Sequence, residues 1–122
     1  MQQKCNIIML DPFWEWFMGL SEEAIDKIYM AIEVLKQNGS QQGRPLVDTL
    51  KGSKYPNMKE LRVPFGRSVF RICFIFDPKR NAVLICGDNK QGKNEKKFYK
   101  ELIALAENTY EQYLQQIQED KQ

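Results

Sequence analysis

Apolar positions change their spacing several times along the chain, and each change marks a predicted element. Residues 4–10 carry an apolar run that predicts a short opening strand. Asp11-Pro12 then reads as an N-cap followed by a proline at the first helical position, with Phe13, Trp14, Phe17 and Leu20 for packing. A second helix is predicted from Ser21, where Glu22 and Glu23 suit the positive dipole end and Gly39 provides the stop. Its apolar residues Ile25, Ile28, Ala31, Ile32 and Leu35 follow helical spacing, so the two helices read as a scaffold hairpin. After a polar loop, Arg44 to Gly52 reads as a helical turn leading into an exposed basic loop, Lys51 to Lys59.

Three strands follow: alternating Met58 to Pro64, strongly apolar Ser68 to Asp77, and short Ala82 to Gly87. Turn residues separate them at Pro64-Phe65-Gly66-Arg67 and Asp77-Pro78-Lys79-Arg80-Asn81, which predicts an antiparallel meander. A long helix is expected from Asn94 to Glu119, with Phe98, Leu102, Leu105, Thr109 and Tyr113 on its apolar stripe. The predicted class is α+β: one domain over residues 1–122, with an N-terminal helical hairpin and a long C-terminal helix packed on a small antiparallel sheet.

Composition removes several chemistries. The 122 residues include no histidine, which excludes imidazole bases, Ser-His and Cys-His couples and the commonest zinc ligand. The net charge of +2 is a cancellation. Residues 1–43 carry net −3, residues 44–100 net +9, and residues 101–122 net −4. A basic middle of this kind is the electrostatic footprint of a polyanion-binding face, or else a solvated lysine-rich surface. Three cysteines form no disulfide framework, and Cys73 and Cys86 read as core residues of a reduced, cytoplasmic protein. No apolar run is long enough for a membrane span.

Strand parity selects the candidate chemistry. On the first of the three strands Glu60 and Arg62 share one face, while Lys59, Leu61 and Val63 share the other. On the next, Phe70, Ile72, Phe74 and Phe76 form the core face, which leaves Arg71 on the opposite side with Val69, Cys73 and Ile75. An arginine in so apolar a strand needs a carboxylate, water or phosphate. It reads either as a structural ion pair with Glu60 or as a phosphate clamp. Lys93, Lys96, Lys97 and Lys100 crowd the start of the last helix, where its dipole disfavours cations, so they either await an anion or splay into solvent. Tyr99 among them is a stacking or proton-transfer group, or packing at the core rim.

The segments Gly43 to Ser53, Asn57 to Arg62, Phe70-Arg71-Ile72, Gly87 to Gly92 and Lys97-Phe98-Tyr99 together resemble the phage-derived Gp49-like branch of the HigB/RelE toxin superfamily. The resemblance runs from the first helices to Tyr99. It implies a bacterial type II toxin that cuts mRNA, typically in the ribosomal A site, and is neutralised by a HigA-like helix-turn-helix antitoxin. The implied cleavage uses attack by the ribose 2′-hydroxyl, leaves a 2′,3′-cyclic phosphate, and needs no metal or cofactor. Carried over, Arg71 matches a catalytic arginine of the central strand and Arg62 falls near a catalytic lysine position. Lys93 (or Lys90) falls near a second catalytic arginine, and Tyr99 near a functional tyrosine. Lys51, Lys54, Lys59, Arg67, Lys90, Lys96 and Lys97 are the expected RNA contacts. Glu60 stands where related chains can have another lysine, and the histidines of some HigB toxins are absent, so Tyr99, a lysine and Glu60 all remain candidate bases. A gyrase-poisoning, ParE-like toxin and a non-catalytic RNA-binding phage remnant are the competing readings.

Overall fold

The computed structural model describes residues 4–120. A five-stranded sheet with spatial order β1-β5-β4-β3-β2 lies between two helical layers. Its strands are β1 (Ile7–Met9), β2 (Val47–Thr49), β3 (Lys59–Phe65), β4 (Ser68–Phe76) and β5 (Ala82–Asn89). The helices are α1 (Asp11–Met18), α2 (Glu22–Asn38) and α3 (Glu95–Asp120).

The expected meander β3-β4-β5 is present, but the sheet is mixed rather than antiparallel. β1 joins β5 in parallel, because α1 and everything up to β4 intervene before the chain returns to that edge. Residues 47–49 form the edge strand β2 against β3 where a helical turn was expected. Three residues are too few to show an alternating pattern, so the pairing is set by tertiary contact.

Packing follows strand parity. Leu61, Val63, Phe70, Ile72, Phe74, Ala82 and Leu84 meet α1 and α2, while Cys73, Ile75, Val83, Ile85 and Cys86 meet α3. Ser21 caps α2 by accepting from the Ala24 N–H, and Gly39 ends it at φ 57°, as predicted. For α1 the cap position is Leu10 and Asp11 is the first helical residue. Trp14 faces solvent, and Trp16 takes the packing position, edge-on to Phe70 at 5.7 Å. On α3, Leu105 is exposed, and Ala106 and Tyr110 complete the buried stripe with Phe98, Leu102 and Thr109.

A bulge in β5 changes which side chains reach each face. Cys73 pairs with Cys86 and Phe74 with Leu84, so Ile85 is the extra residue. Ile85 and Cys86 therefore both face α3, and the parity beyond them is reversed. Gly87 is turned toward α1, where a Cβ would lie 2.5 Å from the Trp16 ring, and Asp88 is turned to the same face as Arg71. No helix among the described residues is long and apolar enough to cross a membrane.

Candidate active site

The candidate side chains collect on the α3 face of the sheet, beneath the first turns of that helix. β3 and β4 place Arg62 directly opposite Arg71 and Glu60 opposite Cys73. Like charges directly across a ladder repel. Glu60 offsets this: its Oε1 lies 3.2 Å from Arg71 Nη1 and 3.8 Å from Arg62 Nε. One carboxylate thus faces two guanidinium groups, and a positive charge is left over.

Both members of the shorter pair are out of solvent, Glu60 6% and Arg71 7% exposed. The Arg71 Nε is buried without a hydrogen-bond partner among the described residues. A buried donor left unmatched is costly in a fold that satisfies nearly all such groups. Tyr99, one turn into α3, closes the cluster from above. Its hydroxyl donates to Glu60 Oε2 at 3.0 Å, and Arg71 sits 5.6 Å from its ring centroid. Burial first, and the Glu60 carboxylate second, push the Tyr99 phenol well above its ordinary value. At neutral pH it is a proton donor and cannot serve as the resting base.

The loop after β5 supplies Lys93, whose Nζ is 2.8 Å from Asp88 Oδ2 and 5.5 Å from the Phe98 ring. The β5 bulge is what puts Asp88 there. Lys90 pairs with Glu95 at 3.0 Å. Arg62, Arg71, Lys93 and Tyr99 are therefore brought to one face, joined by Glu60 and Asp88.

The expected RNA contacts divide. Lys96 and Lys97 are exposed at the start of α3, Lys51 lines a cleft beside Glu60, and Arg67 is exposed in the β3–β4 turn. Lys59 pairs across from Phe74 and so belongs to the α1/α2 face, away from the cluster. Lys54 is ion-paired with Glu111 of α3, while Glu107 accepts from Ser53 Oγ and the Lys54 N–H. These contacts tie the 51–57 loop to the helix. Asp88 escapes the sequence reading because the predicted strand ends at Gly87, whereas β5 runs on to Asn89. The unbroken apolar run Ala82 to Cys86 carries no alternation from which the bulge could be read. Among the described residues, no group of three or more cysteine, aspartate and glutamate side chains could hold a metal ion.

Residues 15–111 match the phage-derived Gp49-like protein family. The chain belongs to that family. Two curated relatives from Mycobacterium tuberculosis carry the toxin names HigB2 and HigB3. HigB2 is 42% identical over 107 residues, covering 87% of this chain and 53% of its own length. HigB3 is 41% identical over 108 residues, covering 88% of this chain and 92% of its own length. This Gp49-like chain thus spans about half of HigB2 and nearly all of HigB3. The matched span of the family includes the whole Glu60, Arg71 and Tyr99 cluster.

Proposed function

We propose that this Gp49-like chain is the toxin of a type II toxin–antitoxin system and acts as a metal-independent endoribonuclease on ribosome-bound mRNA. A HigA-like helix-turn-helix antitoxin is its partner. The observation that carries the reading is the buried Glu60 carboxylate, faced by the two guanidinium groups of Arg62 and Arg71 and by the Tyr99 hydroxyl at the edge of a cleft.

In this mechanism the scissile phosphate displaces part of the Arg62 and Arg71 pairing to Glu60. The two guanidinium groups then stabilise the charge that develops on the pentacoordinate phosphorus. Glu60, freed from one cation, takes the proton of the ribose 2′-hydroxyl as the 2′-oxygen bonds to phosphorus. The phosphorus–5′-oxygen bond breaks, and the leaving oxygen takes a proton from Tyr99. Glu60 then returns its proton to the phenolate, which restores the resting site. A phenol held above its ordinary value releases its proton only to an oxygen as basic as a leaving alkoxide. Lys93 flanks the phosphate from the loop side, and Lys51, Lys96, Lys97 and Arg67 contribute longer-range attraction to the RNA backbone.

The test is induced expression of the wild type and of Arg71→Ala. Growth arrest with cut mRNA bearing 2′,3′-cyclic phosphate ends is expected from the wild type, and neither effect from the variant. Arrest with intact mRNA and a DNA-damage response would move the function to gyrase poisoning. Salt-dependent RNA binding without cyclic-phosphate products would reduce it to a binding module.

A further inference from the structure

The cleft beside the cluster extends beyond what a phosphate and a general base require. It encloses about 260 Å³ and is lined by Arg44, Asp48, Thr49, Leu50 and Lys51 together with Glu60 and Tyr99. Asp48 stands directly opposite Glu60 in the β2–β3 ladder. The two carboxylates thus rise from one face of neighbouring strands, with Cβ atoms roughly 5 Å apart. Arg62 and Arg71 lie two residue pairs further along β3 and β4, on the same face. A nucleotide with its 2′-hydroxyl at Glu60 and its 3′-phosphate at those arginines has its base directed toward β2.

We infer that this cleft is a guanine-recognising subsite for the nucleotide whose 2′-hydroxyl attacks, with Asp48 reading the Watson–Crick edge and Arg44 the O6/N7 edge. The inference rests on the endoribonuclease reading and adds its sequence preference. Guanine is the base that offers adjacent N1–H and N2–H donors, matching the two acceptor oxygens of a carboxylate. Adenine and cytosine place an acceptor beside their amino group, and uracil flanks its single N–H with two acceptors. Each of these brings a lone pair against Asp48.

The Asp48 oxygens have capacity for such a ligand. Oδ1 accepts from the Thr49 N–H at 2.8 Å and Oδ2 meets Arg44 Nη2 at 3.2 Å, one partner for each oxygen. An ionised carboxylate has about four acceptor sites, so both oxygens can take another donor. The Thr49 N–H, followed by the Arg44 guanidinium, holds the Asp48 carboxyl below its ordinary value and keeps it acceptor-only at neutral pH. The Arg44 side chain is 74% exposed, so its pairing with Asp48 is easily exchanged for a ligand. Its planar fork matches guanine O6 and N7, the commonest arginine–base contact.

The experiment compares the wild type with Asp48→Asn and Arg44→Ala in two assays. The first measures cleavage of RNAs that differ only in the base 5′ to the cut. The wild type is expected to cut after guanine about tenfold faster than after the other bases. Asp48→Asn should abolish that preference, with the rate after guanine falling to that after the other bases. The second measures calorimetric binding of guanosine 3′-monophosphate against adenosine 3′-monophosphate, which needs no turnover. Preferential guanosine binding lost in Asp48→Asn supports the subsite even where the wild type cuts no RNA, an outcome that would reject the nuclease reading alone. Cleavage without base preference, a preference that survives Asp48→Asn, or equal affinity for both nucleotides would overturn the subsite.

Discussion

Glu60→Gln tests the centre of the structure, because a single charge is removed where three side chains depend on it. The substitution keeps shape and an acceptor, but it leaves Arg71 buried with a neutral neighbour and an Nε that already lacks a partner. Arg62, directly opposite, then repels Arg71 without compensation. Breaking one side of a buried ion pair costs about 3–5 kcal/mol, and the retained amide acceptor places this case near the lower figure. For a domain of this size each kcal/mol shifts the melting temperature by about 4 °C, so a fall of about 12 °C is expected. Glu60→Gln combined with Arg71→Met removes both charges and should recover stability to within about 1 kcal/mol of the wild type. Thermal and urea unfolding followed by circular dichroism at neutral pH would measure the wild type, Glu60→Gln, Arg71→Met and the double variant. A Glu60→Gln melting point within about 2 °C of the wild type would refute the reasoning. So would a double variant whose loss equals the sum of the two single losses.

Other expectations follow from single contacts. Gly87→Ala drives a methyl group into Trp16 and should cost about 1–3 kcal/mol, largely relieved by Trp16→Leu, as read from urea midpoints. Tyr99→Phe should lower RNA cleavage by about 100-fold or more at neutral pH while leaving RNA affinity nearly unchanged, which single-turnover kinetics would separate. Lys54→Ala should change the salt dependence of RNA binding less than Lys97→Ala, since Lys54 is already paired with Glu111. Asp77 is pushed up by burial, but the Asn81 side chain and N–H, Tyr113 and the Lys79 N–H outweigh that and hold it below its ordinary 3.8. Its contribution to stability is therefore complete above that value and is lost as pH falls through the lower folded value. Asp77→Asn should flatten the acid limb of stability against pH, and an unchanged limb would exclude this role.

The elements with strong periodicity were legible from the chain alone. α2 was delimited by Ser21 and Gly39 because a cap and a left-handed stop are local devices. The parity of β3 and β4 correctly separated Glu60, Arg62 and Arg71 from the core face, which is why most of the cluster could be named in advance. What escaped depends on contacts distant in sequence. β2 is a strand only because β3 lies beside it, and the parallel β1–β5 pairing requires two helices and three strands to be placed first. The Ile85 bulge reversed the side of Asp88 and Gly87, a shift that no alternation rule reveals. Leu105 and Trp14 were assigned to packing by apolar character, yet helix phase turned both to solvent in favour of Ala106 and Trp16. The ion pair and the phosphate clamp offered for Arg71 are compatible: the resting partner is Glu60, and the proposed mechanism exchanges it for phosphate.

The most direct test of the central claim is the chemistry of the RNA ends produced by purified protein, with and without ribosomes, for the wild type and Glu60→Gln. The proposed mechanism predicts 2′,3′-cyclic phosphate on the 5′ fragment and a 5′-hydroxyl on the other, formed in the presence of a metal chelator. It also predicts that Glu60→Gln lowers the rate by about 100-fold to 10,000-fold while RNA binding persists. Fragments ending in 3′-hydroxyl and 5′-phosphate, or undiminished cleavage by a folded Glu60→Gln protein, would contradict it.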